Sequence, residues 1–245
     1  KAYTGVELRD KVLGVIGLGR IGSAVAKRAQ GMEMKVMACD PYITEEKAEL
    51  LGIKLLPMAE VFKSADFITV HLPLTKESKH LLGKDAFEMM KPGVRIVNCA
   101  RGGIVDEQAL TEALLSGKVQ GAALDVFENE PPKDSPLLGL DQVITTPHLG
   151  ASTVEAQVNV SVSVAKQCLE VLKGGSAKYT VNAPMVPQEF AEVIEPFAFL
   201  AEKMGRFLIQ TVEGRVEKVE LIYEGELAAL KNNTKYITIM ALKGL

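Results

Sequence analysis

The strongest constraint on this chain is a glycine pattern in a particular setting. Gly17-Leu18-Gly19-Arg20-Ile21-Gly22 follows the apolar run Val12–Ile16 and opens the segment Gly19–Ala29, where Ile21, Val25 and Ala29 recur at helical spacing. Each glycine has a physical use at a strand-to-helix turn. Gly17 permits the tight turn, Gly19 lets the backbone approach a pyrophosphate, and Gly22 allows helix and strand to pack closely. The unpaired N–H groups and positive end of the helix then attract the anion. Asp40 ends the next apolar run, Met34–Cys39, 18 residues after Gly22. A carboxylate at that spacing accepts hydrogen bonds from ribose hydroxyls and repels a 2′-phosphate, so the pattern predicts NAD rather than NADP. The plainer alternative makes Asp40-Pro41 a strand-ending turn.

The rest of the first half agrees with a dinucleotide domain. Further apolar runs occur at Phe67–Val70, Val94–Asn98, Val119–Val126 and Val143–Thr145, without clean alternation. Such runs suit strands buried on both faces of a parallel sheet. Asp106–Leu115 reads as a helix with an acidic first turn, stopped by Ser116-Gly117. The expected fold is therefore α/β, a doubly wound parallel sheet of Rossmann type, with ligands at the carboxyl ends of the strands. Expected domain limits are residues 1–150 for the cofactor domain, 151–176 for a following helix, and 177–245 for part of a second α/β domain.

In that second part, Ala151–Lys173 fits both an alternating strand and a helical stripe, and its length favours the helix. Gly174-Gly175-Ser176 ends it as a boundary or hinge. Phe197–Thr211 and Tyr236–Leu242 are expected to be helices, with an alternating strand at Val216–Tyr223 between them.

Composition narrows the function classes. With 28 Lys and Arg against 31 Asp and Glu, the chain carries a formal net charge of −3, which offers no basic footprint for nucleic acid or an anionic membrane. No apolar run approaches the ~20 residues that span a bilayer. Three widely spaced cysteines, Cys39, Cys99 and Cys168, form no CxxC pair, so neither a disulfide framework nor a metal site is expected. Free thiols of this kind fit a reducing, cytoplasmic setting.

Three histidines limit the candidate proton carriers. His80 lies among Lys76, Glu77, Ser78 and Lys79, where a solvated surface explains it. His71 follows a strand, and a structural role there is as good as a catalytic one. His148, in Thr146-Pro147-His148-Leu149-Gly150-Ala151, follows the run Val143–Thr145, and so stands at a strand's carboxyl edge beside the cofactor. Oxidation of an alcohol needs a base, a cation to anchor an acidic substrate, and a group that tunes the base. His148 is the candidate base. Arg101, after Asn98-Cys99-Ala100, could fork onto a carboxylate. Glu130, within Asp125–Pro132, could pair with His148 and favour the imidazolium. Each also has a bland alternative as a solvated loop residue.

Taken together, these blocks resemble the D-isomer-specific 2-hydroxyacid dehydrogenases. The likeness runs from about Gly5 to Pro184 and rests on Gly17–Gly22, Asp40-Pro41-Tyr42, His71–Thr75, Asn98–Glu107, Ala123–Pro132 and Pro147–Thr153. It implies that Arg101, Glu130 and His148 are the family's catalytic triad, with His148 as acid and base. It also implies cofactor contacts from Gly19, Arg20, Ile21, Asp40, Leu72, Cys99, Ala100, Arg101, Asp125, His148, Leu149, Gly150 and Ala151. Asp125 would face the nicotinamide carboxamide. Leu72 stands where relatives often carry a small polar residue, so its backbone would make the contact.

Past Gly175 the chain continues through Tyr179–Pro184 into some 60 further residues, which resemble the additional domain of long-form members acting on a phosphorylated 2-hydroxyacid. A small-molecule substrate of that class and at least a homodimer are the implied partners. Glyoxylate, hydroxypyruvate or lactate-type specificity is the enzymatic alternative, and an NAD-sensing module without turnover is the alternative from another class. The roughly one hundred N-terminal residues that complete the family's substrate pocket are not in this sequence. The chain, which starts at Lys1, is therefore expected to be an interior piece that binds NAD and turns over poorly.

Overall fold

The computed structural model describes residues 5–173, 179–181, 188–214, 216–229 and 234–245. The chain forms two compact units, Lys1–Thr153 and Val154–Leu245.

The first unit is built on seven parallel strands: β1 (Val12–Ile16), β2 (Lys35–Cys39), β3 (Lys54–Leu55), β4 (Phe67–Val70), β5 (Val94–Asn98), β6 (Val119–Leu124) and β7 (Val143–Thr145). They lie in the order β3-β2-β1-β4-β5-β6-β7. Between them run α1 (Arg20–Gly31), α2 (Glu45–Leu50), α3 (Met58–Ser64), α4 (Lys84–Met89) and α5 (Glu107–Leu115), with a short 3-10 turn at Pro136–Gly139. Chain direction across the sheet reverses between β1 and β4, and the crevice outside that reversal is where an open sheet of this kind receives ligands.

Burial explains why these segments became strands. Val15, Ile68, Val70 and Ile96 are fully covered, because helices close the sheet from both sides. One face packs α1 and α2 through Ala26, Ala29, Ala48 and Ile53, and the other packs α3, α4 and α5 through Val61, Phe87 and Leu110. Gly14 is a packing residue within β1. A β-carbon there would lie 2.6 Å from Val61 Cγ1, so the glycine lets α3 seat directly on the strand. At the opposite end of the sheet, Asp66 accepts the Val12 N–H and the Lys91 ammonium, tying β1 to β4. Two sequence expectations ran slightly long, since Met34 and Asp125-Val126 fall just outside β2 and β6.

The second unit contains α6 (Val154–Leu172), α7 (Gln188–Thr211), α8 (Glu226–Ala229) and α9 (Lys235–Gly244). The helical choice for 151–173 agrees with α6, whereas Gly174-Gly175-Ser176 lies outside the described residues. Helix α7 begins nine residues before the expected Phe197, running through Pro196. A proline inside a helix forfeits one backbone bond. Here Ile194 and Ala198 on either side of it are buried against Ile237 and Ala241, which offsets that loss. Helices α7 and α9 cross through glycines. A β-carbon on Gly205 would lie 2.3 Å from the Ala241 carbonyl oxygen, and one on Gly244 would lie 2.2 Å from that of Glu202.

The strand expected at Val216–Tyr223 is not formed: residues 216–223 are irregular. Its alternation is real, since Leu221 and Tyr223 pack on the α7–α9 cluster while Ile222 points to solvent. Among the described residues no second strand lies beside it, and without a ladder partner an alternating segment forms no strand.

Candidate active site

The glycine turn sits at the carboxyl end of β1 and has the geometry its sequence demands. Gly17 takes φ +94°, and a β-carbon there would come within 2.6 Å of the His71 carbonyl oxygen. At Gly22 a β-carbon would lie 2.0 Å from the Gly17 carbonyl oxygen, so α1 closes against the turn only as glycine. Gly19 differs: a β-carbon there would touch nothing within 4 Å. Internal packing therefore gives no reason for glycine at position 19, but close approach of a ligand does. Gly19 is also the N-cap of α1, has no side-chain capping bond, and is followed by no acidic residue in the first turn. Helix N–H groups left so are donors for an external phosphate.

Asp40 faces the same turn. Its Oδ2 accepts the Leu18 N–H at 2.7 Å, and its Oδ1 accepts the Tyr42 N–H at 2.8 Å. The carboxylate thus fixes the glycine loop from the end of β2 and stands beside it. Ile21 is exposed at the start of α1, and Leu72 reaches under Gly17.

On the other side of the crevice, the turn after β5 carries Cys99, Ala100 and Arg101. Buried Asn98 shapes it, since Oδ1 accepts the Ala100 N–H and Nδ2 donates to the Arg101 carbonyl, both at 3.0 Å. Arg101 is exposed, and its Nη1 donates to the Ala100 carbonyl oxygen at 2.6 Å. Cys99 is held above the ordinary thiol range, first by burial and then by the charge of Asp125.

The turn after β7 carries His148, and it is built on Asp125. This carboxylate at the end of β6 is only 5% exposed. Its Oδ1 accepts the Thr146 hydroxyl at 2.5 Å and the Leu149 N–H at 2.7 Å, while Oδ2 accepts the Gly150 N–H at 2.9 Å. Burial pushes the Asp125 carboxyl up, but these three donors and nearby His148 bring it below the usual carboxylate range. Both oxygens of Asp125 thus hold the loop after β7. His148 itself adopts φ +57°, a left-handed backbone that costs a non-glycine residue energy and persists only where surroundings impose it.

His148 Nδ1 meets Glu130 Oε2 at 2.8 Å. Glu130 is held in turn by the Phe127 N–H, which its Oε1 accepts at 3.2 Å. The bond to His148 is the main cause that keeps the Glu130 carboxyl below its ordinary range, against partial burial and the charge of Asp125. With Nδ1 turned to Glu130, Nε2 is the ring nitrogen that faces outward. Among the described residues, no hydrogen bond joins Arg101 to either member of this pair. Leu149, Gly150 and Ala151 continue the same turn.

The remaining histidines divide. His71 is half-buried and bonds Thr69 Oγ1 at 3.0 Å, and burial lowers its pKa. His80 is exposed, as its neighbours in sequence suggest, and its Nε2 meets Glu128 Oε1 at 3.1 Å. Among the described residues, no cluster could hold a metal ion, and no helix is long and apolar enough to cross a membrane.

Comparison with known proteins identifies the family. Residues 1–150 match the NAD-binding domain of the D-isomer-specific 2-hydroxyacid dehydrogenases. The chain belongs to this family. Residues 193–245 match the intervening domain of D-3-phosphoglycerate dehydrogenase. The chain is 52% identical over 246 aligned residues to the D-3-phosphoglycerate dehydrogenase of Methanocaldococcus jannaschii, covering all of this chain and 47% of that protein. The enzyme of the same name from Bacillus subtilis is 50% identical over 244 residues, 99% of this chain and 46% of the other. The chain thus spans about half the length of these relatives. Among solved structures, the holo form of D-mandelate dehydrogenase from Rhodotorula graminis aligns with a TM-score of 0.70 at 31% identity, over 76% of this chain and 55% of that one. D-lactate dehydrogenase with NAD+ from Lactobacillus jensenii aligns at 0.68 and 31% identity, over 73% and 58%.

Proposed function

We propose that this chain carries the cofactor-binding and proton-transfer parts of a D-3-phosphoglycerate dehydrogenase. That enzyme oxidises D-3-phosphoglycerate to 3-phosphohydroxypyruvate, the first step of L-serine synthesis. The observation that carries the proposal is the bond of 2.8 Å between His148 Nδ1 and Glu130, at the edge of a dinucleotide crevice. NAD+ bound on the glycine loop supplies the acceptor for the hydride that leaves the substrate carbon.

The chain's own residues do the rest. The N–H groups at the start of α1, around Gly19, Arg20 and Ile21, hold the pyrophosphate, and Asp40 takes the adenosine ribose. Leu72, Cys99, Ala100 and Leu149 to Ala151 line the nicotinamide side, with Asp125 supporting that wall. His148 Nε2 accepts the hydroxyl proton as the carbonyl forms, and returns it in the reverse direction. Glu130 fixes the ring orientation and balances the imidazolium charge, as a carboxylate does for a base of this kind. Arg101 offers a guanidinium to the substrate carboxylate.

The phosphorylated substrate is supported by the extension past Gly175 and its match to the intervening domain. Cytoplasmic location is supported by three free cysteines. A homo-oligomer of at least two copies is what the family resemblance implies. Residues 1–150, 151–176 and 177–245 would then be the cofactor domain, a connecting helix and the start of the intervening domain.

The test is a panel of D-2-hydroxyacids with NAD+ and NADP+ on the full-length protein and on His148→Ala. Phosphoglycerate oxidation with NAD+ that falls at least about a hundredfold in the variant, with NAD+ still bound, supports the proposal. Preference for lactate or glyoxylate, or a variant as active as the parent, would overturn it.

A further inference from the structure

The loop that carries Glu130 is tied down at two points by a single side chain. Glu107 is the first residue of α5, just after its N-cap Asp106. Its Oε1 accepts the Glu128 N–H at 2.7 Å, and its Oε2 accepts the Ser135 hydroxyl at 2.7 Å. The link is reciprocal, because Glu128 Oε1 accepts the Glu107 N–H at 3.4 Å. That same oxygen meets His80 Nε2, and His80 Nδ1 lies 3.7 Å from Asp106 Oδ2. Between the two anchors the chain passes through Glu130, Pro131 and Pro132.

The loop begins at buried Phe127, and past that residue it is open on this side. It borders a cavity of about 730 Å³ whose walls include His80, Glu107, Glu128 and Pro131. Prolines lack the backbone donor that would otherwise anchor such a segment. Beyond the Phe127 anchor, the Glu107 carboxylate is the group that ties both Glu128 and Ser135 to α5. A shift of about 1 Å in a catalytic group is enough to cost orders of magnitude in rate.

We infer that Glu107 is a positioning residue, whose carboxylate holds the Phe127–Ser135 loop so that Glu130 meets His148. The inference rests on the roles proposed above for Glu130 and His148. Glu128 and His80 complete the clasp. Released at both anchors, Glu130 leaves the imidazole, and its carboxyl returns toward its ordinary range. The charged groups that face Glu130 in this site are His148 and Asp125.

Glu107→Ala, Glu107→Gln and Ser135→Ala separate this role from general stability. Glutamine keeps both contacts, its carbonyl accepting the Glu128 N–H and its amide donating to Ser135 Oγ. In the full-length protein, Glu107→Ala is expected to lower kcat about tenfold per folded molecule, with NAD+ affinity within about twofold of the parent. Glu107→Gln recovers at least about half of the parent's kcat, and Ser135→Ala, which keeps one anchor, falls between. Carbon-13 NMR of the Glu130 carboxyl, assigned by its loss in Glu130→Gln, should show its titration moving upward in Glu107→Ala and staying in place in Glu107→Gln.

An alanine variant with the parent's kcat per folded molecule, or with an unmoved Glu130 titration, overturns the inference. So does a glutamine variant as impaired as the alanine one. If the parent protein oxidises no 2-hydroxyacid, the proposed function falls separately, and the Glu130 titration still decides the clasp.

Discussion

A β-carbon on Gly102 would lie 1.7 Å from the carbonyl oxygen of Phe127. The turn that presents Arg101 therefore rests directly on the backbone that presents Glu130. Gly102→Ala must push these two loops apart. Overpacking against backbone costs about 1–3 kcal/mol or more. Urea unfolding should show that loss, and turnover should fall further than the folded fraction does. An unchanged midpoint would mean that the two loops are not in contact.

The glycines of the phosphate turn predict opposite outcomes for one substitution. Gly22→Ala meets the Gly17 carbonyl oxygen at 2.0 Å and should destabilise the fold. Gly19→Ala meets nothing and has a backbone any residue adopts, so its stability should stay within about 0.5 kcal/mol of the parent. Its NAD+ affinity should nonetheless fall, because the new methyl group occupies ligand space. Calorimetric titration alongside thermal unfolding separates the two effects.

Asp40 holds the Leu18 N–H, and under the proposed function it also selects the cofactor. Asp40→Ala removes the acceptor of the Leu18 N–H and the charge that disfavours a 2′-phosphate. NAD+ binding should weaken by about tenfold, while the ratio of NAD+ to NADP+ affinity shrinks. A variant that keeps the parent's ratio would show that selectivity lies elsewhere.

Acid stability should report on Asp125. Its folded-state carboxyl lies below the ordinary value, so its charged form stabilises the native state fully above the unfolded value of about 3.9. That contribution disappears as the pH falls through the lower folded value. Asp125→Asn should flatten the acid limb of a stability curve below about pH 5. At neutral pH it should cost about 1–3 kcal/mol, since one amide oxygen cannot serve three donors. An acid limb identical to the parent's would assign the dependence to other carboxylates.

Much of the first unit was legible because its central strands are buried on both faces. The edge strand β7 is largely exposed and showed only as a short apolar run. Val12–Ile16, Phe67–Val70, Val94–Asn98 and Val143–Thr145 coincide with β1, β4, β5 and β7. Strand β3 escaped notice because two residues, Lys54 and Leu55, carry no period. Helices α2, α3 and α4 run for six or seven residues, too short for an amphipathic stripe to stand out. The error at Val216–Tyr223 has a different origin: alternation reports which side faces a core, but pairing depends on a neighbour elsewhere in the chain.

At the site, the residue types and their places after strands were visible, and the structure brings His148 and Glu130 into contact. What stayed hidden was the support around them. Asn98 under the Arg101 turn, Asp125 under the His148 turn and Glu107 beneath the Glu130 loop act through contacts between loops. No local pattern encodes such contacts.

The left-handed backbone of His148 sets two kinds of selection against each other. Asparagine adopts that conformation more readily than histidine, so heat-resistance screening of a library at position 148 should enrich it. Screening the same library for turnover should return histidine. A breeder of sturdier variants who never assayed the chemistry would discard the imidazole first.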